Sequence, residues 1–254
     1  MKEKYQEINS KTIDSWCEDG WEWAIPVTHE EYQKALNNDY KIVLTPTKPV
    51  PKHWFGDLKG KKILGLASGG GQQMPIFQAL GAICTVLDYS DKQLESERMV
   101  AKRENYQIEI IKADMSKPLP FEDESFDLIF HPVSNCYVLE VKPIFKECFR
   151  ILKPGGALLA GLGNEINYIV NDAHEKMIVN KMPFNPLEDA ELYELSMKQN
   201  DGIQFSHTLE EQIGGQLEAG FILKELYEDT NGYGYLHEMN IKTFIATYSE
   251  KPKR

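Results

Sequence analysis

The residues of this chain that could do chemistry stand where apolar segments end. Three consecutive glycines, Gly69 to Gly71, follow Ser68 and the apolar run 63–67. Without a Cβ, glycines let the backbone turn tightly and approach a ligand, and the first amides of a following helix can hydrogen-bond a polar or anionic group. Asp88 ends the next apolar run about twenty residues on, where nucleotide-binding βαβ units place the acid that accepts hydrogen bonds from ribose. The pattern predicts a nucleotide site, although Asp88 could instead cap a turn or helix.

Two further polar residues follow the next two apolar runs. Asp114 comes after the run 108–113, and His131 comes after the run 126–130. An imidazole at the end of a strand could remove a proton from a hydroxyl or thiol substrate. The alternatives are a histidine that satisfies the backbone before Pro132 or one that contacts the bound ligand.

The elements that must position these residues alternate between strand and helix. Apolar runs predict strands near 63–67, 83–87, 108–113, 126–130, 157–160, 220–227 and 242–248, with a helix over 91–103 that begins after Ser90 as N-cap. This alternation is typical of an α/β, doubly wound sheet. The segment 164–215 lacks strand character and is expected to insert one or two helices before the last two strands. Thr208 and Glu211 in that region have the spacing of a capping box.

Five segments taken in order resemble the class I S-adenosylmethionine-dependent methyltransferases. They are the loop GLASGGG, the acid of LDYS, the acid of KADM, the strand SFDLIF and the turn RILKPGG, and they span about 61–163. The turn is the most specific of them, because nicotinamide dehydrogenases do not normally carry it. The branch most similar is the ubiquinone/menaquinone-biosynthesis-like (methyltransferase type 11) group, which acts on small molecules.

The resemblance implies a Rossmann-like, doubly wound, seven-stranded and mostly parallel sheet. It divides the chain into an N-terminal lid over residues 1–60, helical in part, and a methyltransferase domain over 61–254 with an insertion at about 164–215. The lid is rich in aromatic residues, among them Trp16, Trp21 and Trp23. They are expected either to close over the site or simply to pack against the helical layer.

The resemblance also assigns site residues. S-adenosylmethionine, with S-adenosylhomocysteine as product, is the implied cofactor. Asp88 would bind its ribose, Asp114 and the Met115 amide its adenine, and Tyr89 could lie against the adenine ring. The residues expected at the cofactor are Ala67, Ser68, Gly69, Gly70, Gly71, Asp88, Tyr89, Asp114, Met115 and His131. His131 is also the candidate catalytic base, and Trp16, Trp21, Asn135 and Tyr137 are expected to line the substrate pocket.

One departure from the family pattern concerns the first strand and loop. The family usually has an acid on the strand, which helps to hold the methionine ammonium, and a glycine at the first loop position. Here those positions hold Gly65 and Ala67. The ammonium would then be left to backbone carbonyls, water or another group, and a changed cofactor or lost activity is the alternative.

The composition of the chain limits the classes of partner, metal site and location that are expected. The 254 residues carry 28 basic and 39 acidic side chains, a net charge of −11, which disfavours nucleic acid and anionic membrane as partners and favours a small-molecule acceptor. Four dispersed cysteines without a C-x-x-C pair predict neither a metal site nor a disulfide framework. The charged N-terminus and the lack of a long apolar run favour a cytoplasmic protein. A homodimer is left open.

Two other functions are compatible with glycines followed by an acid. A nicotinamide-dependent oxidoreductase would need similar residues, but the chain has neither a G-x-G-x-x-G motif nor a Tyr-x-x-x-Lys pair. A non-catalytic S-adenosylmethionine sensor is kept open by the missing acid at Gly65.

Overall fold

The computed structural model describes residues 4–170 and 175–253. Its centre is a seven-stranded sheet in the order β3-β2-β1-β4-β5-β7-β6. The strands are β1 (Lys62–Leu66), β2 (Ile83–Asp88), β3 (Glu109–Lys112), β4 (Phe126–His131), β5 (Leu152–Gly163), β6 (Ile222–Asp229) and β7 (Phe244–Glu250). The first five pair in parallel, whereas β7 is antiparallel to both β5 and β6. The predicted α/β class and doubly wound sheet are therefore confirmed.

The helices cover both faces of the sheet. They are α1 (Tyr5–Glu18), α2 (His29–Leu36), α3 (Gln73–Ala79), α4 (Asp91–Glu104), α5 (Lys142–Ile151), α6 (Ile166–Ile169), α7 (Ala190–Gln199), α8 (Gly215–Ala219) and α9 (Gly234–Glu238). One buried cluster joins Ile63 and Phe130 of the sheet to Phe77 of α3. A second joins Leu64 and Ile129, which point to the opposite face, to α5. Near-continuous apolar strands are expected when a parallel sheet is buried on both faces.

Local signals place the helix boundaries that matter for the site. The Ser90 hydroxyl accepts the Gln93 N–H at 3.1 Å, so α4 begins after the predicted cap. The predicted capping box at Thr208 is also present, because the Glu211 carboxylate accepts the Thr208 N–H and the Thr208 hydroxyl accepts the Glu211 N–H. A π-helical turn over Glu210–Gly214 follows this box and leads directly into α8.

The predicted turn RILKPGG lies inside the β4–β5 pairing. Leu152 pairs with Phe126, and the next pair is Leu128 with Ala157, so residues 153–156 bulge out of the ladder. Gly155 has a φ of +78°, a left-handed value that glycine adopts without steric cost. The turn motif is thus a bulge at the start of β5 that sets the register of its apolar second half.

The first sixty residues wrap along the domain. Helix α1 packs on α4. The connector after residue 44 is fixed at the end of β6 by Asp229, a carboxylate only 1% exposed. It accepts hydrogen bonds from the Thr45 hydroxyl and from the backbone amides of Thr47 and Lys48. These donors lower the pKa of Asp229 to about 2 against the opposing effect of burial.

Between β5 and β6 lies the expected insertion, which contributes α6 and α7. In the described ranges, none of the helices has the length and apolar character needed to cross a bilayer. The same ranges contain no cluster of three or more His, Cys, Asp or Glu side chains that could hold a metal ion.

Candidate active site

A cavity of about 800 Å³ opens at the carboxyl ends of the central strands. Strands β1 and β4 are neighbours there, and the chain turns from β1 towards β2 on one side and from β4 towards β5 on the other. This is the switch point at which open α/β sheets bind their ligands. The wall also includes parts of α1, of the segment after β4 and of the insertion.

The first part of the glycine loop, residues 67–69, lines this cavity. Ala67 stands where the family pattern has glycine, yet its φ is +47°, and its N–H donates to the Leu87 carbonyl at 2.7 Å. Gly70 and Gly71 also have positive φ values. A Cβ on Gly69 would lie 2.6 Å from Gln93 Cβ and 3.0 Å from Asp88 Oδ2. The loop therefore needs glycine at position 69 to pack against the acid and α4.

Asp88 holds the loop and the start of α4 together. Its Oδ2 accepts the Gly69 N–H at 3.0 Å, and its Oδ1 accepts the Tyr89 and Ser90 N–H groups at 2.7 and 3.0 Å. A carboxylate offers about four acceptor positions, so one position on Oδ2 is left for a ligand hydroxyl. Burial raises the pKa of Asp88, opposed by these three backbone donors.

The sequence-predicted adenine residues line the same cavity. Asp114 accepts the Ser116 N–H at 2.8 Å through Oδ1, an arrangement that fixes the turn after β3. Met115 lies in the wall next to it and is 8% exposed. Tyr89 also contributes to the wall, and the Lys112 ammonium lies 5.7 Å from the centre of its ring.

The predicted cofactor residues divide into two groups by position. Seven line the cavity: Ala67, Ser68, Gly69, Asp88, Tyr89, Asp114 and Met115. Gly70, Gly71 and His131 do not reach it and lie behind its wall. The roles assigned to all ten residues stay predictions.

His131 is fully buried behind the cavity. Its Nδ1 lies 2.9 Å from the Leu66 carbonyl oxygen and its Nε2 lies 2.8 Å from Asn135 Oδ1. The amide nitrogen of Asn135 has no partner in the described ranges. Turning that amide by 180° would let it donate to Nε2, while Nδ1–H donates to Leu66. Burial lowers the pKa of His131 and so favours this neutral form.

Two of the four residues predicted to line the substrate pocket do line the cavity. Trp21 and Tyr137 line the cavity, whereas Trp16 and Asn135 do not. Trp16 supports the other two aromatics from behind, with ring centres 5.1 Å from Trp21 and 6.4 Å from Tyr137. Its indole N–H donates to the Asn200 carbonyl at 2.8 Å and thereby ties α1 to the insertion.

Several residues of the site were missed at the sequence level. Gln93 lines the cavity beside Asp88, is 7% exposed, and its Oε1 has no partner within the described residues. Glu97, one turn along α4, is fully buried, and its Oε1 accepts the Gly71 N–H at 2.8 Å. Burial raises the pKa of Glu97 to about 8. The sequence signal for Gln93 and Glu97 was their i, i+4 spacing, which places both on one face of the helix that follows Asp88.

The position of the missing acid is filled by a side chain from α3. A Cβ on Gly65 would lie 2.8 Å from Met74 Sδ. An acidic side chain at that position would therefore displace the thioether of a fully buried methionine. Two polar side chains that follow in the loop and at the start of α3, Ser68 and Gln73, line the cavity, and the Ser68 hydroxyl donates to Gln73 Oε1 at 3.0 Å.

Comparisons with known proteins agree with this geometry. Residues 64–160 match the methyltransferase domain family. The chain is 41% identical over 249 residues to the uncharacterized methyltransferase YbaJ of Bacillus subtilis (strain 168), covering 96% of this chain and 97% of that protein. It is 30% identical over 207 residues to the demethylmenaquinone methyltransferase of Lactococcus lactis subsp. lactis (strain IL1403), covering 78% of each.

Among solved structures, the S-adenosylmethionine dependent methyltransferase from Mesorhizobium loti has the same fold. The TM-score is 0.62 at 19% identity, and the match covers 78% of this chain and 94% of that one. The full-length similarity to a methyltransferase excludes the nicotinamide-dependent alternative. The chain belongs to the class I S-adenosylmethionine-dependent methyltransferases.

Proposed function

We propose that this protein transfers a methyl group from S-adenosylmethionine to a small-molecule acceptor within the cavity at the carboxyl end of the sheet. The observation that carries the proposal is that one cavity is lined by two different sets of residues. The glycine loop, Asp88 and Asp114 form one end, and aromatic side chains after β4 and from the insertion form the other. Cofactor and acceptor would therefore meet inside one shared cavity.

The residues at the first end fit an adenosine-containing cofactor. Asp88 has one acceptor position left for a ribose hydroxyl, and Gln93 Oε1 is a buried acceptor without a partner in the described ranges. Asp114 and the Met115 amide would face the adenine. When bound, the cofactor supplies a methyl group activated by the sulfonium charge.

The chemistry needs positioning more than proton transfer by a catalytic triad. A lone pair of the acceptor forms the bond to the methyl carbon while the carbon–sulfur bond breaks and its electrons stay on sulfur. An acceptor that starts protonated releases that proton to solvent. Holding the two reactants in line is the main contribution of the protein. Trp21 and Trp23, which line the cavity, would exclude water from this step.

His131 is better suited to positioning than to proton abstraction. The imidazole is fully buried, does not line the cavity, and has both nitrogens within hydrogen-bond distance of protein groups. It joins Leu66, at the end of β1, to Asn135, in the segment after β4. We infer that it holds these two parts of the wall at a fixed separation.

A small molecule is the acceptor class that charge and relatives support. The net charge of −11 would repel a polyanion over most of the surface. A relative named demethylmenaquinone methyltransferase supports a small-molecule acceptor. The absence of nucleic-acid and membrane partners, a cytoplasmic location and a homodimer stay predictions.

Calorimetry combined with turnover tests the proposal. We expect S-adenosylmethionine and S-adenosylhomocysteine to bind the wild-type protein and NAD not to bind. Incubation with S-adenosylmethionine and a metabolite panel should then yield S-adenosylhomocysteine in step with a methylated product. Cofactor binding without turnover on any acceptor would instead support the sensor alternative, and no binding would refute both.

A further inference from the structure

The amino-acid part of S-adenosylmethionine needs partners other than the residues proposed for its nucleoside. Asp88, Asp114 and Met115 lie at the nucleoside end of the cavity, and the aromatic side chains after β4 and from the insertion line the opposite end, the acceptor end. The amino-acid part carries an ammonium and a carboxylate. The acid that the family usually provides for the ammonium is absent, because Gly65 stands in its place and Met74 fills the space.

A connected row of neutral polar side chains runs from the glycine loop to the N-terminal segment. The Ser68 hydroxyl donates to Gln73 Oε1 at 3.0 Å, and Gln73 Nε2 donates to Gln72 Oε1 at 3.3 Å. Gln72 Nε2 donates in turn to the carbonyls of Glu22 and Ile25, both at 3.0 Å. Ser68, Gln72 and Gln73 all line the cavity. The row therefore places two amides and a hydroxyl in the wall that follows Gly65 in the chain.

The outer end of this row fixes which way its amides point. The carbonyls of Glu22 and Ile25 can only accept, so the Gln72 nitrogen must face them. The oxygen of Gln72 then faces Gln73, whose nitrogen must be the donor. The oxygen of Gln73 in turn faces the Ser68 hydroxyl. Within the described part of the chain, Gln73 therefore retains one N–H and one lone pair of Oε1, and Ser68 Oγ retains its two lone pairs.

The Ser68 and Gln73 side chains are almost completely buried. They are 2% and 7% exposed, respectively. A buried amide that keeps an unused donor and an unused acceptor costs free energy until a ligand or water completes its hydrogen bonds. Because both side chains also line the cavity, a ligand bound there can supply the missing partners.

The unused groups match a molecule that carries both an ammonium and a carboxylate. Gln73 Oε1 and Ser68 Oγ can both accept from an ammonium, while the remaining N–H of Gln73 can donate to a carboxylate. None of the lining residues in 4–170 and 175–253 is Lys, Arg or His. A ligand carboxylate thus has no cationic side chain from those ranges, and a neutral donor such as the Gln73 amide is the kind of partner the wall offers. Hydrogen bonds to a charged partner are also stronger than those between neutral groups.

We propose that Ser68 and Gln73 bind the amino-acid part of the cofactor in place of the absent acid. Gln73 Oε1 and Ser68 Oγ accept from the ammonium, and Gln73 Nε2 donates to the carboxylate. Gln72 is a positioning residue, because it orients the Gln73 amide and ties it to the N-terminal segment. This inference rests on the proposed function, because the cofactor has to occupy the same cavity.

The test compares two ligands on the full-length protein by calorimetry. S-adenosylhomocysteine contains the amino-acid part, and methylthioadenosine is the same nucleoside thioether without it. We expect the wild-type protein to bind S-adenosylhomocysteine more tightly than methylthioadenosine by about tenfold or more. Gln73→Leu keeps the approximate size of the side chain but removes both hydrogen-bonding groups. It should weaken S-adenosylhomocysteine binding by about tenfold and leave methylthioadenosine binding within about twofold of wild type.

A second variant and a matched control make the assignment specific. Ser68→Ala removes one proposed acceptor of the ammonium, and it should weaken S-adenosylhomocysteine binding by about threefold or more without affecting methylthioadenosine. Gln78→Leu is the control, because it is the same substitution in the same helix as Gln73→Leu. The Gln78 amide donates to the Gln107 carbonyl at 2.6 Å and lies outside the cavity wall, so its loss should change the affinity for neither ligand.

A charged variant distinguishes the ammonium from the carboxylate. Gln73→Glu places a negative charge beside the proposed ammonium position and removes the donor to the ligand carboxylate. The third ligand is the deamino analogue of S-adenosylhomocysteine, which keeps the carboxylate but lacks the ammonium. Relative to wild type, Gln73→Glu should increase the preference for S-adenosylhomocysteine over this analogue by about fivefold or more. An unchanged preference in the folded variant would contradict the placement of the ammonium.

The outcomes separate this inference from the proposed function. Failure of both S-adenosylhomocysteine and methylthioadenosine to bind the wild-type protein would refute the proposed function itself. With binding intact, equal affinity of the wild-type protein for the two ligands would overturn the inference. So would a folded Gln73→Leu protein that keeps its S-adenosylhomocysteine affinity, or one that loses affinity for both ligands in the same proportion, because the amide would then only support the loop. Unfolding temperatures check each variant, and Ser68→Ala and Gln73→Glu carry the same comparison if Gln73→Leu does not fold.

Discussion

Glu97 holds Gly71 from the side of the glycine loop that faces away from the cavity. The Gly71 N–H donates to Glu97 Oε1 at 2.8 Å, while the second oxygen of this fully buried carboxyl has no partner in the described ranges. A charged carboxylate in that position would have only the Gly71 N–H to stabilise its negative charge. The raised pKa of Glu97, about 8, therefore indicates that the protonated acid is the form that supports the loop near neutral pH.

The first prediction concerns the pH dependence of stability. Because burial raises the pKa of Glu97 from its usual value to about 8, the folded state retains a proton that the unfolded chain releases. The free energy of unfolding should fall as the pH rises from the unfolded pKa towards 8. Glu97→Gln mimics the protonated acid and should be close to wild type near pH 4, where Glu97 is protonated in both states, but more stable by roughly 3–5 kcal/mol at pH 9, because each unit of pKa difference is worth about 1.4 kcal/mol. Thermal unfolding across this range measures the difference.

Glu97→Ala is the contrasting variant, since it removes the acceptor of the Gly71 N–H at every pH. It should lose roughly 1–3 kcal/mol of stability even near pH 4, where wild-type Glu97 is protonated in both states. A Gln variant that follows the same pH profile as wild type would show that Glu97 does not titrate between these limits.

The second prediction concerns Asp88. Asp88→Ala removes the acceptor proposed for the ribose and also the acceptor for the Gly69, Tyr89 and Ser90 amides. S-adenosylhomocysteine affinity should fall by about ten- to a hundredfold, roughly 1.5–3 kcal/mol. Asp91→Ala is the control, because Asp91 is an exposed carboxylate three residues along that pairs with Lys112 and does not line the cavity. Equal affinity of a folded Asp88→Ala protein would refute the ribose assignment.

The third prediction concerns Gly69. Gly69→Val should abolish cofactor binding while the circular dichroism spectrum stays near that of wild type. The structure gives a steric reason, since a Cβ at this position meets Gln93 Cβ at 2.6 Å and Asp88 Oδ2 at 3.0 Å. Gly214→Ala is a suitable control, because its nearest contact would be an ordinary 3.7 Å from Glu210 Cγ. Retained binding in the Val variant would mean that the loop is not at the cofactor.

The sheet and the loop could be predicted from the sequence because their signals are local. Apolar runs gave the strands, and Ser90 stands directly before the helix that it caps. His131 was correctly placed at the carboxyl end of β4, but its exposure could not be predicted. Which way the last side chain of a strand turns depends on Leu66 and Asn135, which come from other segments.

The features of the site that could not be predicted depend on contacts between residues far apart in the sequence. Asn9 accepts a hydrogen bond from the Ile203 N–H, 194 positions away in the chain. No local sequence pattern therefore indicates that α1 shapes the acceptor end. Asp201 stands in a polar stretch that reads as a loop, and only the folded insertion brings it to the cavity. Trp16 was predicted in the pocket with Trp21, but it packs behind Trp21 instead.

The fourth prediction concerns the anchor of the N-terminal connector. Asp229 has its pKa lowered to about 2 by donors from Thr47, Thr45 and Lys48. Its stabilising contribution should be present above the pKa of the unfolded carboxyl and be lost as the pH falls through about 2. Asp229→Ala should cost on the order of 3 kcal/mol at pH 7, measured by denaturant unfolding. Glu228→Ala, at the exposed neighbouring position, should have little effect, and a similar loss there would contradict the anchor.

The last prediction treats the N-terminal segment as a lid. Asp14 accepts hydrogen bonds from the Ser90 hydroxyl at 2.6 Å and from the Lys92 N–H at 3.0 Å, so α1 contacts the helix that follows Asp88. Trp21 and Trp23 line the cavity from the same segment. Deleting residues 1–25 should leave the sheet folded and weaken cofactor binding only in part, while methyl transfer falls much further. The reason is that the deletion opens the acceptor end to water.

Hydrogen exchange provides the direct measurement of closure. Amides of α1 should exchange more slowly when S-adenosylhomocysteine is bound, because the ligand would join the two surfaces that α1 bridges. Amides of α5, which packs on the opposite face of the sheet, serve as the internal control and should not change. Equal exchange in α1 with and without ligand, together with full turnover by the deletion variant, would show that the N-terminal aromatics only pack against the domain. Slowed exchange with lost turnover would instead establish that α1 completes the acceptor end, since Asn9 on that helix holds the loop that carries Asp201.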